Sequence, residues 1–186
     1  MKKRGEFRNC IWNNSNKKGQ VWVETVTYTL IAFVMIGLVL SFAKPKIEEI
    51  QDKILTEQSI KMLKEIDSII SEVSEEGIGN KRKLELGLKK GSLELIPSED
   101  LIVFTMESKY IYSQPEEEYV EGILTILTEE KGSYNDLTIK VNYSSTYNLT
   151  FNLEEFSKTI TKASTTYNLF ISNEGGDPKV INFEVE

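Results

Sequence analysis

The sequence predicts an α+β protein: one long N-terminal helix, hydrophobic and then amphipathic, followed by an antiparallel β-sandwich-like domain. Three observations carry this. Residues 21–43 form an apolar run of 23 residues broken by a single charge, Glu24. Next, Ile47, Ile50, Ile54, Leu63, Ile66, Ile70 and Val73 recur at spacings of mostly three and four, with Glu, Lys and Asp between them. Beyond Asn80 the apolar period falls to two, punctuated by turn residues.

The apolar run is the first element. As a helix its 23 residues span about 35 Å at ~1.5 Å per residue, enough to cross a hydrocarbon core of about 30 Å. Lys2, Lys3, Arg4, Arg8, Lys17 and Lys18 precede it against one acid, Glu6, a local charge of +5 over residues 1–19. The positive-inside bias places that end in the cytoplasm and everything after Ala43 outside. Pro45 follows, which removes a helix hydrogen bond and favours a kink. The amphipathic stripe resumes at once, predicting a helical stalk to about Glu76 that Gly77 and Gly79 terminate. Its stripe has two destinations: the chain's own domain, or, in its lower part, neighbouring subunits.

The external domain reads as seven or eight short strands. Leu84, Leu86 and Leu88 alternate with polar residues, and Lys90-Gly91 turns the chain. Strands follow around Leu93–Ile96, Leu101–Met106 and Ile123–Thr128, although Glu117–Leu127 also admits a partly helical reading. Alternation returns in Leu137, Ile139, Val141 and Tyr143, then in Tyr147, Leu149, Phe151 and Leu153. Tyr167, Leu169 and Ile171, a Gly175-Gly176 loop, and Ile181, Phe183 and Val185 complete the set. About 105 residues suffice for one such core. The predicted organisation is a leader over 1–19, an apolar helix over 20–43, a stalk over 44–79 and a β-domain over 80–186.

Three readings compete for the apolar segment. A secretory signal peptide has a core of about 7–15 residues and a small-residue cut site after it; this core is longer and its end is poorly marked. A plain signal anchor fits the length and flanking charge but leaves Glu24 without a reason. A carboxylate costs about 2–3 kcal/mol near the bilayer centre and less near the edge. Glu24 is either hydrated at the interface or partnered.

The third reading comes from the junction Lys17-Lys18-Gly19-Gln20-Val21-Trp22-Val23-Glu24. It resembles the processing site of type IV prepilins, the archaeal form in particular. The resemblance implies a class III signal peptide, cut between Gly19 and Gln20 by a membrane-embedded prepilin peptidase, with Lys18, Gly19 and Gln20 forming the recognised junction. Glu24 then becomes the fifth mature residue, where the family carries its glutamate. Cleavage gives Gln20 a positive α-amine, which can meet the carboxylate of a neighbouring subunit. A buried charge is tolerable when paired, and such a pair fixes axial register. Thr25 and Thr29 share a helix face nearby, and their hydroxyls bond either backbone carbonyls or a neighbouring helix.

Charge and composition exclude several classes. The whole chain is −7, so removal of the +5 leader leaves −12 for residues 20–186, which argues against nucleic-acid binding. The one cysteine, Cys10, lies in the leader, and the mature chain has no disulfide framework. No histidine, phosphate loop or nucleophile elbow occurs, so no catalytic residue, cofactor or metal is expected. The acid pairs Glu75-Glu76, Glu116-Glu117-Glu118 and Glu129-Glu130 lack EF-hand spacing and read as solvated faces. Asn142-Tyr143-Ser144 and Asn148-Leu149-Thr150 are candidate N-glycosylation sequons on the outer domain; Asn13-Asn14-Ser15 would be cytoplasmic.

The expectation is therefore a non-enzymatic structural subunit, major or minor, of an archaeal type IV pilus-like surface filament. Its expected partners are the membrane, the prepilin peptidase, the pilus assembly platform, and other copies or other pilin-like subunits. Gln20 and Glu24 carry assembly, with Val21, Trp22, Val23, Tyr28, Leu30, Phe33 and Val34 supplying apolar packing. The alternative is an unprocessed single-span protein whose extracellular β-domain binds a partner without polymerising.

Overall fold

The computed structural model describes residues 16–186, with side chains from Gly19 onward. Expectations placed on residues 1–15, Cys10 and the Asn13 sequon among them, lie outside the described residues, as do the side chains of Lys17 and Lys18.

Helix α1 (Asn16–Glu76) is continuous over 61 residues, with Pro45 inside it. Pro45 therefore does not end the helix, although it has no N–H to give the Ser41 carbonyl. Contacts divide the chain into two units between Lys46 and Ile47. In the first, every residue from Gly19 to Phe42 is exposed. Its backbone polar groups are satisfied along the helix itself, the condition a lipid-embedded segment must meet.

In the second unit the stalk splits in character. Leu63, Ile66, Ile70 and Val73 are buried at 1 % exposure or less, whereas Ile47, Ile50 and Ile54 remain about half exposed. The upper part of the stripe thus packs on the chain's own domain and the lower part does not. The helix stops at Gly77, whose φ of +102° suits glycine. Its last carbonyls, which have no partner within the helix, are met from outside. Asn80 Nδ2 donates to the Glu76 carbonyl at 2.8 Å, Asn173 Nδ2 to Val73 at 3.2 Å and Lys179 Nζ to Ser74 at 2.7 Å.

Ten strands follow: β1 (Lys81–Leu86), β2 (Ser92–Ile96), β3 (Leu101–Ser108), β4 (Tyr119–Glu121), β5 (Leu124–Glu130), β6 (Asn135–Asn142), β7 (Tyr147–Phe151), β8 (Lys158–Thr161), β9 (Tyr167–Gly175) and β10 (Lys179–Val185). They form two sheets, ordered β1-β9-β10-β7 and β4-β5-β6-β3-β2-β8. Inward residues alternate as period two requires: Ile102, Phe104 and Met106 on β3 face the same core as Leu137, Ile139 and Val141 on β6. One apolar cluster joins both sheets to Ile60, Leu63, Ile66 and Ile70 of the helix. The α+β class with an antiparallel-rich β-domain is as expected.

Several details differ from the sequence expectation. Strands β4 and β8 are additional, and residues 117–127 contain no helix. β7 and β10 pair in parallel, Leu149 beside Ile181 and Phe151 beside Phe183. The alternation through Leu153 breaks at Phe151; Asn152 and Leu153 instead take φ of +52° and +66°. β9 runs through Gly175 before the chain turns. Among the described residues every buried side-chain nitrogen or oxygen has a hydrogen-bond partner.

Candidate functional site

The candidate site is the exposed helix surface from Gly19 to Phe42. Trp22 and Phe33 are each 69 % exposed and Phe42 78 %. Burying one side chain of this size contributes about 1.5–3 kcal/mol in water, so an exposed apolar surface of this extent marks a contact with a membrane or another protein. This stretch is long and apolar enough to cross a membrane, with mean hydropathy 2.2 over the most apolar 18 residues of the helix. Thr25, Val26, Thr29, Leu30, Phe33 and Val34 line one shallow groove along it, the relief into which a second helix's ridges fit.

The polar groups sit at the N-terminal end of this surface. Gln20 Nε2 donates to Glu24 Oε1 at 3.4 Å, one helical turn apart. That is long for a hydrogen bond, and both side chains are exposed. Among the described residues this is the carboxylate's one hydrogen bond, which leaves most of its acceptor capacity open. The threonine hydroxyls are spent within the helix: Thr25 Oγ1 donates to Val21 at 2.9 Å, Thr27 to Val23 at 2.8 Å and Thr29 to Thr25 at 2.8 Å. They therefore present methyl groups, and Glu24 stands as the one charged side chain between Gly19 and Ala43. Gly19 is exposed with open space where a Cβ would project. Lys18 lies in the helix, its side chain outside the described residues.

The sequons have distinct geometries. Asn142 is exposed, and its Oδ1 accepts from both the backbone N–H and the hydroxyl of Ser144, at 2.9 and 2.7 Å. Asn148 is exposed on β7, while Thr150 Oγ1 is engaged with Asn182 Oδ1 at 3.1 Å.

One member of each acid run is engaged within the fold. Glu76 pairs with Arg82, the Glu116 carboxylate accepts the Glu130 N–H at 3.1 Å, and Glu129 pairs with Lys131 at 3.4 Å. Among the described residues no group of three or more acidic, His or Cys side chains is placed to hold a metal.

Sequence reasoning did not single out the polar contacts that fix the helix to the β-domain. Asp52, buried, is held by Lys90 and by the Lys109 N–H. Glu121 accepts from Lys64 Nζ at 2.6 Å and from Tyr112 Oη at 2.8 Å. The Lys64 hydrogen bond, then that of Tyr112, holds the Glu121 carboxyl below its usual range. Burial, reinforced by Glu121, pushes the Tyr112 hydroxyl up to about 12. Tyr143 is likewise raised, by burial and by Asp67, to which its hydroxyl donates at 3.1 Å. A helix acid opposite a tyrosine in the β6–β7 turn leaves no local signal, because the two lie 76 positions apart. Comparison of the chain with protein-family models, with curated proteins and with solved structures gives no match.

Proposed function

We propose that this chain is the precursor of an archaeal type IV pilin-like filament subunit, cut after Gly19 and assembled through its N-terminal helix. The observation that carries the reading is the combination of an apolar helix surface that no other described residue covers and one under-partnered carboxylate, Glu24, at its N-terminal end. The Lys17-Lys18-Gly19-Gln20 junction adds the processing signal. In this reading a prepilin peptidase frees the Gln20 amine, which meets Glu24 of an adjacent copy. An assembly platform then draws the helices from the bilayer into a common core. In the second unit the half-exposed Ile47, Ile50 and Ile54 leave a further apolar row on the stalk for neighbouring copies. The reading assigns a structural role and no catalytic chemistry.

The test is Glu24→Ala in the full-length chain. Membrane insertion and cleavage persist while shed filaments fall by about tenfold or more, the scale on which an unpaired buried amine is penalised. Filament yield equal to that of the unaltered chain contradicts the role given to Glu24.

A second reading is favoured by the Gln20–Glu24 contact itself, which gives the carboxylate a partner without a neighbour. Under it the chain is an uncut single-span anchor displaying a β-domain that binds an extracellular partner. It predicts an intact leader and indifference to Glu24→Ala.

A further inference from the structure

Two unassigned surface features of the β-domain match each other. The first is the tip between β7 and β8. Leu153 is 65 % exposed at a φ of +66°, a conformation that bulky side chains seldom take. The tip is nonetheless held firmly. The Leu153 N–H donates to Oδ1 of the fully buried Asn182 at 2.7 Å, and the Asn152 N–H to the Phe183 carbonyl at 2.9 Å. Phe156, 42 % exposed, stands edge-on to Phe151 with ring centroids 5.2 Å apart. Between the two apolar side chains lie Glu154 and Glu155, exposed and without an ion-pair partner among the described residues. The fold thus presents two apolar side chains flanking two negative charges on a pre-ordered turn.

The second feature is a groove of about 200 Å³ between α1 and β1. That is several times the ~30 Å³ of a water molecule, so it admits a side chain. Leu55, Met62, Leu84 and Leu88 supply its apolar lining, and Lys61 and Lys89 its charge. Of the other charged lining groups, Glu85 is met by Lys83 at 3.4 Å and Lys90 by Asp52 at 2.5 Å. Glu65 remains as the one opposing acid. Lys61 and Lys89 are exposed and have no ion-pair partner among the described residues.

We propose that the Leu153–Phe156 tip of one copy docks into the α1–β1 groove of a second copy. Leu153 and Phe156 enter the apolar lining, and Glu154 and Glu155 face Lys61 and Lys89. Position favours this occupant as well as charge. β1 and β7 are the two edges of the four-stranded sheet, so tip and groove lie at opposite sides of each domain. A contact between two different patches is heterologous and propagates from copy to copy rather than closing as a pair. The inference rests on the reading that copies assemble, and it adds a contact between the outer domains.

The test uses the full-length chain in cells, with Cys10→Ser as background. Ser157→Cys beside the tip and Gln58→Cys in the groove wall are introduced together or singly, and the cells are mildly oxidised. The double variant is expected to give a ladder of cross-linked species beyond the dimer, whereas neither single variant does. Glu154→Lys with Glu155→Lys should weaken the ladder about tenfold, and adding Lys61→Glu with Lys89→Glu should restore it. Absence of a ladder in the double variant overturns the proposal, and so does charge reversal without effect. Shed filaments are scored from the same cells. Filaments without a ladder overturn this contact alone, whereas a ladder confined to membranes supports the contact and counts against the filament reading.

Discussion

Asp52 Oδ1 accepts a hydrogen bond from Lys90 Nζ at 2.5 Å, while its Oδ2 accepts the Lys109 N–H at 2.7 Å. The carboxylate side chain is 7 % exposed and that of Lys90 36 %, so the pair runs from the core to the solvent edge. It ties the helix to the open end of the β2–β3 hairpin, where Lys90 precedes β2 and Lys109 follows β3. Asp52→Ala leaves the Lys109 N–H unmet and is expected to cost about 2–3 kcal/mol. Because the residues share one interaction, Asp52→Ala with Lys90→Ala should cost less than the sum of the single changes. Chemical denaturation of the detergent-solubilised full chain measures both.

The Lys64–Glu121–Tyr112 group gives the fold a pH signature at each end. The Glu121 carboxyl is held below its usual range in the folded chain. Its contribution is complete above the unfolded carboxyl value, about 4.3, and is lost as pH falls through the folded value. Tyr112 is raised from 10.0 to about 12. Its contribution is complete below 10.0 and fades as pH rises toward about 12, because the unfolded chain gives up that proton first. Glu121→Gln should flatten the acid limb of a plot of denaturation midpoint against pH by lowering the plateau near pH 7 toward the acid value. The acid-limb effect is small, since Glu121 is a third exposed and solvent screens the pair.

Gly91 separates steric need from backbone need. It has φ +81°, and a Cβ there would lie 2.4 Å from the Thr105 carbonyl oxygen and 2.8 Å from Met106 Cβ. Gly122 shares a positive φ, +64°, but faces open space. Gly91→Ala should therefore destabilise by about 3 kcal/mol or more, and Gly122→Ala by about 1 kcal/mol. Thermal unfolding of the two variants side by side checks the difference.

Asn182 is fully buried, and its side chain meets Thr150, Leu153 and Glu184. Asn182→Ala should cost about 2 kcal/mol and loosen the Leu153 turn. Faster amide exchange at Leu153, measured against Leu149 in the neighbouring strand, reports that loosening.

Strong periodicity made the long elements legible. Leu137-Thr138-Ile139-Lys140-Val141 alternates without a break and Leu101-Ile102-Val103-Phe104 is a short apolar run, and both lie in strands with alternate residues buried. β8 offers one inward apolar residue, Ile160, and β4 has three residues in all, too little for a period to register. The parallel pairing of β7 with β10 depends on how the chain crosses over, which local pattern does not encode. Asp52 reads as one more polar position on an amphipathic helix, and its burial comes from Lys90 and Lys109 arriving from far along the chain. Glu24 was legible for the opposite reason, since a lone charge in an apolar run stands out from sequence alone.

The central claim is processing at Gly19 followed by assembly. Mass spectrometry of the N-terminal peptide, from membrane and shed fractions of the same cells, tests it most directly. The account predicts a first residue of Gln20, with most of the protein in the shed fraction. A chain beginning at Met1 and confined to membranes would contradict it.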